Sequence, residues 1–210
     1  MPGTLILARH GESEFNAKGL WTGIWDIPLT DKGRGQAKQM GEALADLKPS
    51  VAFTSALIRA QETLKLMLAA NDWDIPTHQA HQLNERDYGK LTGLNKWEVE
   101  KQYGEEQFTK WRRGWDFPVP GGETLKDVQA RALPYFQTHI VPLLEAGQTV
   151  LVSAHGNSLR ALMKYLDDTS DKGVEQLEIH FGEIVIYTFD QSGHPSDKTI
   201  RKITTQPTNA

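Results

Sequence analysis

The sequence predicts an α/β fold: a three-layer α/β/α sandwich on a mainly parallel sheet, with an antiparallel edge strand. Three observations predict it. Short apolar runs alternate with longer stretches whose apolar residues recur at helical spacing, as when parallel strands are joined through helices. Two of those runs, "LILARHGES" (5–13) and "VLVSAHGNS" (150–158), lead into the same His-Gly pair. The last two runs are separated by little more than Gly182, too short a link for a parallel crossover.

Taken in order, residues 5 to 8 read as a buried strand closed by polar residues and Gly. Thr30 can N-cap a helix running to about Leu47, with Ala37, Met40, Leu44 and Leu47 on one face. "VAFTS" (51–55) is a short strand. The stretch 56–70 is a helix with Ala60, Leu64, Met67 and Leu68 inward. Residues 77 to 83 are expected to form a strand and 95 to 113 short helices. Thr124 and Asp127 make a capping box that opens a helix to about Leu144, which Pro134 and Pro142 should kink or break. "TVLVSA" (149–154) has the pattern of a fully buried strand, and 158–166 follows as a helix. "EQLEIHF" (175–181) and "EIVIYTF" (183–189) read as two strands around Gly182. A polar tail from about residue 195 is expected to be loose.

The chain has 210 residues, 39% hydrophobic and 24% charged, without a linker, low-complexity stretch or structural repeat, so a single domain over 1–210 is expected. Net charge is 23 − 27 = −4, which argues against general nucleic-acid binding and leaves local basic clusters to be explained locally. With no cysteine, disulfides, thiolate nucleophiles and Cys-ligated metals are excluded. The segment before His10 lacks the pattern of a signal peptide, and no apolar run reaches the roughly 20 residues of a membrane span. These features predict a cytoplasmic protein with no membrane partner.

In open α/β sheets ligands bind beyond the carboxyl ends of the strands, so His10 and His155 can face one crevice. Gly11 and Gly156 would let the backbone turn sharply there. Gly156, Asn157 and Ser158 begin a helix whose free N–H groups attract an anion, and Arg9 adds a planar fork suited to phosphate. A neutral imidazole is a competent nucleophile toward phosphorus. One histidine would accept a phosphoryl group; the other, if protonated, would stabilise charge on its oxygens. The remaining histidines, among them His180, read as surface or packing residues.

"RHGESEFN" (9–16), "LNERDYGKLTGLNK" (83–96), "WRRGW" (111–115) and "AHGNSLRALMKYLD" (154–167), in that order, resemble the cofactor-dependent phosphoglycerate mutases of the histidine phosphatase superfamily. Arg-His-Gly alone specifies only the superfamily; the four segments together narrow it. The resemblance implies a phosphoglycerate mutase-like fold. It also implies interconversion of 3-phosphoglycerate and 2-phosphoglycerate through a phosphohistidine, with 2,3-bisphosphoglycerate as primer and no metal. It makes His10 the nucleophile, Glu85 the proton donor and acceptor, and His155 the stabiliser of the transferring group. Arg9, Arg59, Ser13, Asn16, Gly156 and Asn157 would surround that group, while Thr22, Gly23, Arg86, Tyr88, Lys96, Arg112 and Arg113 would hold the rest of the substrate.

The chemistry fits independently. An alkoxide is a poor leaving group and needs an acid; the reverse step on the neighbouring hydroxyl needs a base, and one carboxyl can serve as both. Five cations (Arg9, Arg59, Lys96, Arg112 and Arg113) match a ligand carrying a phosphate of about −1.5 to −2 and a carboxylate. Departures from the family pattern are the short stretch "WDFPVPGG" after Arg113, a short tail, and "IHFGEIVIY" (179–187), which sets His180 and Glu183 near the expected mouth. They leave open the balance of mutase against phosphatase activity, and they suggest a monomer or small homo-oligomer. A phosphatase of the same superfamily, a silent phosphoprotein-binding module and a metal enzyme using His10 and Glu12 are the alternatives.

Overall fold

The computed structural model describes residues 3–190 and 193–203. A six-stranded sheet runs β3-β2-β4-β1-β5-β6, formed by β1 (Gly3–Arg9), β2 (Val51–Thr54), β3 (Thr77–Gln79), β4 (Thr149–Ala154), β5 (Glu183–Phe189) and β6 (Pro195–Lys202). The first four strands in this order pair in parallel; β5 is antiparallel to β1, and β6 to β5. The register of β1 on β4 sets Leu5 opposite Val150 and Arg9 opposite Ala154. The echo of the two His-Gly segments is therefore the register of the sheet itself.

Strand periodicity sorts the core into two layers. Leu5, Leu7, Val150 and Val152 face one side, against helices α6 (Leu125–Tyr135), α7 (Val141–Glu145) and α8 (Gly156–Leu166). Ile6, Ala8 and Leu151 face the other, against Met40 of α2 (Asp31–Glu42) and Leu64 and Met67 of α3 (Ile58–Ala69). Each fully buried Leu or Ile here contributes about 1.5–3 kcal/mol, and this is what holds the β1 and β4 ends rigid beneath the site. Outside these layers lie α1 (Glu14–Ala17), α4 (Lys96–Tyr103) and α5 (Glu105–Arg113); α4 and α5 are broken apart at Gly104, whose φ is +82°.

Several boundaries differ from expectation. Helix α2 stops at Glu42 rather than Leu47: Gly33, Gly35 and Gly41 weaken it, and the chain continues in turns that keep Leu44 buried. β3 spans only three residues, and 81–83 forms a 3₁₀ turn. Beyond Pro134 the backbone loosens into a π-type turn, Phe136–Ile140, before α7 restarts with Pro142 in its first turn, where a missing N–H costs little. Residues 175–181 are not a strand. Their carbonyls at Leu177 and Ile179 accept from Arg160 and Arg9 instead of from a sheet neighbour. On its outer side β5 pairs instead with β6, in a segment expected to be loose: its polar side chains are mostly exposed, and the backbone ladder with β5 orders it. Of the expected tail, 204–210 lies outside the described residues.

Candidate active site

The carboxyl ends of β1, β4 and β2 open into one cavity. Its wall includes Arg9, His10, Asn16, Thr22, Gly23, Arg59, Glu85, Tyr88, Lys96, Arg112, Arg113, Gly156 and Asn157. Thirteen of the sixteen residues singled out from sequence thus share one wall, although they come from segments far apart in the chain. The other three, His155, Ser13 and Arg86, do not line it.

His10 N–H donates to Ala154 O (2.9 Å), which locks the two strand ends together. The two imidazoles lie side by side, centroids 5.0 Å apart. His10 Nδ1 sits 2.6 Å from Gly11 O. A carbonyl only accepts, so Nδ1 carries the proton and Nε2 keeps the lone pair. Burial, then the charges of Arg59 and Arg9, hold His10 well below the usual histidine range. The ring is therefore neutral near pH 7, the form a nucleophile needs. The Gly11 N–H donates to Thr63 Oγ1, which fastens this loop to α3. A Cβ at Gly11 would lie 2.2 Å from Gly33 O, so the close approach glycine permits is to α2, not to a ligand. At Gly156 a Cβ would meet only Arg9 and Glu85 at ordinary contact distances.

His155 is fully buried behind His10, and its Nε2 lies 2.7 Å from Ser55 Oγ. Burial and the charges of Arg59, His10 and Arg9 likewise push it well below the usual histidine range. Glu85 is 8% exposed. Its Oε1 accepts from the backbone N–H of Arg86 (2.8 Å) and from the N–H and Nδ2 of Asn157 (3.1 Å each). Oε2 accepts no hydrogen bond among the described residues and is the atom left for a ligand. The anion at the start of α8 is thus Glu85's own carboxylate. Asn157 Nδ2 also donates to Tyr88 OH (2.8 Å), so one amide ties α8 to the Glu85–Tyr88 loop.

The cations form two groups. Arg59 donates to Trp25 O and Gly23 O (2.7 Å each), and burial brings its pKa down to about 10. Arg9 donates to Ile179 O, and its guanidinium carbon lies 3.8 Å from the centre of the Phe181 ring. These two flank His10. Farther out are Lys96, Arg112 and Arg113. Burial and the charges of Arg112 and Arg9 bring Lys96 down to about 8; an arriving anion would raise it. Four wall residues hold buried donors without a partner among the described residues: Arg9 Nε, Arg59 Nε, Thr22 Oγ1 and Trp21 Nε1. Unpaired buried donors are costly, and an oxyanion is what would satisfy them.

Arg86 is fully buried but turned away. Its guanidinium donates to the carbonyls of Glu123, Trp111 and Phe117, bracing the segment that carries Arg112 and Arg113. Ser13 caps α1 in a reciprocal pair with Asn16. Sequence reading missed Trp21, Arg160, Glu178 and Ile179 on the wall, and Ser55 and Thr63 behind it. Arg160 is one turn after Asn157 on α8, which was the available signal. It donates to Asn157 Oδ1 and to the carbonyls of Leu177, Arg113 and Val174.

Paired strand-end histidines inside a ring of cations define a phosphoryl-transfer site on an α/β sheet. A model of the histidine phosphatase superfamily (branch 1) matches residues 5–199, and the chain belongs to that superfamily. A 2,3-bisphosphoglycerate-dependent phosphoglycerate mutase of Gloeobacter violaceus is 48% identical over 90% of this chain and 87% of its own length. One from Rhizobium etli is 46% identical over 95% of this chain and 96% of its own. Among solved structures, Bacillus stearothermophilus YhfR shares 30% identity at a TM-score of 0.81, covering 92% of this chain and 94% of its own. A mycobacterial glucosyl-3-phosphoglycerate phosphatase shares the fold at 22% identity and a TM-score of 0.82, covering 94% and 96%.

Proposed function

We propose that this chain interconverts 3-phosphoglycerate and 2-phosphoglycerate through a phosphohistidine at His10, primed by 2,3-bisphosphoglycerate. The observation that carries the reading is a neutral His10 with Nε2 unshared, set among cations at both an inner and an outer end of one cavity. Relatives at 46–48% identity over most of the chain bear the mutase name, which supports the choice of substrate.

In this reading His10 Nε2 attacks phosphorus while Arg9 and Arg59 hold the equatorial oxygens. The breaking P–O bond leaves an alkoxide that takes its proton from Glu85 Oε2. In the other direction the phosphoryl group moves from His10 to a substrate hydroxyl, and Glu85 Oε2 receives that proton. His155 sits beside the reacting imidazole, where an N–H toward the transferring group would stabilise its charge. Tyr88, Lys96, Arg112 and Arg113 retain the far end while the two phosphates exchange places. Arg86 and Ser13 act through the segments they brace. Positive charge in this site comes from side chains, so the reading needs no metal. A cytoplasmic location and a monomer or small homo-oligomer go with it.

The test is one mixture: the protein with 3-phosphoglycerate in EDTA, with and without 2,3-bisphosphoglycerate. We expect 2-phosphoglycerate, formed only when the primer is present. Free phosphate as the main product would make the chain a phosphatase, and activity lost in EDTA but restored by manganese would overturn the metal-free reading.

A further inference from the structure

The basic cavity contains a second carboxylate that the mechanism does not use. Glu178 lies on its wall, and Glu178 Oε2 accepts from Arg113 Nη2 at 2.7 Å. Arg113 is one of the outer cations expected to grip the non-reacting end of the ligand. Its fork is therefore already engaged by a residue of the same chain.

The segment carrying Glu178 is held at several points. Leu177 O accepts from Arg160 Nε (2.8 Å), and Ile179 O from Arg9 Nη1 (2.9 Å). His180 N–H donates to Glu183 Oε2 (2.8 Å), and the Phe181 ring packs under Arg9. These bonds on either side hold the backbone at 178 against the wall, so Arg113 is to be freed by a turn of the Glu178 side chain. The ion pair itself is weak, because both partners keep contact with water (24% and 30% exposed). Burial pushes the Glu178 carboxyl up, but the bond from Arg113 and the charges of His180 and Arg112 outweigh it and hold the group below the usual glutamate range. Glu178 is thus an anion wherever the enzyme is expected to work.

We propose that Glu178 is a specificity-determining residue: a built-in counter-ion that competes with the ligand's second anionic group for Arg113. The proposal rests on the reading of this site as one that binds phosphorylated carboxylates. A ligand with a single anionic group at His10, Arg9 and Arg59 leaves the Arg113–Glu178 pair intact. A ligand with a second carboxylate or phosphate at the outer end must displace Glu178 and then sit beside its charge. The site's preference for doubly anionic ligands is thereby held below what its cations alone would give, which lets such ligands leave.

Glu178→Gln keeps the shape and removes the charge. The experiment is calorimetric titration of the unprimed protein with inorganic phosphate, glycerol 3-phosphate and 3-phosphoglycerate, with wild type and variant compared. Loss of a like charge near the bound group and release of the Arg113 fork should tighten 3-phosphoglycerate by about tenfold. Phosphate and glycerol 3-phosphate should change by less than about threefold, within the range of an exposed charge effect. In an Arg113→Ala background the selective gain for 3-phosphoglycerate should shrink toward that of phosphate. Equal gains for all three ligands, no gain, or a gain that survives Arg113→Ala would overturn the proposal. If inorganic phosphate binds neither protein, the reading of the site as a phosphate cavity fails, and this proposal fails with it.

Discussion

At the end of β1, His10 shares its Nδ1 proton with the carbonyl of the next residue, Gly11; at the end of β4, His155 meets through Nε2 the side chain of Ser55, the residue just past the neighbouring β2. The two segments are alike in sequence, stand at the same height in the sheet and bring their rings to 5.0 Å. What separates them is the origin of the partner. A bond inside its own loop orients His10 and leaves Nε2 free over the cavity. A bond to the residue that follows β2 ties His155 to the neighbouring strand end. In the proposed mechanism, the difference between nucleophile and supporting group would thus rest on these second partners, not on the His-Gly motif.

The largest expected effect tests that assignment directly. Incubation with 2,3-bisphosphoglycerate should give an acid-labile, base-stable phosphate adduct on His10, found by mass spectrometry of the alkaline digest. His10→Ala should carry no adduct and lose turnover by about 10⁴-fold or more, as expected on removal of a nucleophile. An adduct on His155 in the wild type would reverse the comparison.

A smaller loss is expected from the other ring. His155→Ala should fold, and should lose about 10²–10³ in kcat, the usual worth of one stabilising donor. The His10 adduct should still form, only more slowly. Ser55→Ala should follow it in direction with about a tenfold loss, the size of one buried hydrogen bond, while Ser55→Thr, which keeps the hydroxyl, should recover most of it. Wild-type turnover in His155→Ala would remove His155 from the chemistry.

Much of this was legible because strand-end placement follows from local pattern. The apolar runs fixed β1 and β4, and the His-Gly echo carried even their register. Glu85, Lys96 and Arg112 could be named only through resemblance, since nothing in their local sequence sets them apart from surface charges. Long-range partners left no local trace. Ser55 follows an ordinary short strand, and only the parallel pairing of Thr54 with Ser153 brings it level with Ala154, within reach of the His155 ring. Glu178 was hidden because "EQLEIHF" alternates like a strand, yet its carbonyls go to two arginines from elsewhere in the fold. β6 was missed for the opposite reason: an edge strand exposed on both faces has no apolar alternation to reveal it.

The smallest expected effect concerns stability, and it asks whether the two rings are alike in charge. Both are held well below a pKa of 6.5, by burial first and by nearby Arg59 and Arg9 after it. In the unfolded chain each should titrate near 6.5. Above that pH both states are neutral and the full stability is present. Below it the unfolded chain binds protons that the folded one refuses, so stability falls as pH falls toward the folded pKa values. Each buried histidine makes this slope about 1.4 kcal/mol per pH unit. Between pH 7 and 5.5 one such group accounts for about 1.2 kcal/mol of lost stability. Protonation of carboxylates adds to the decline in every variant and cancels in a comparison. We therefore expect urea unfolding of His155→Gln to lose about 1.2 kcal/mol less than wild type over that interval, and His10→Gln to do the same. Parallel curves for one variant would mean that its histidine is protonated in the folded state, and the two strand ends would then differ in charge as well as in partner.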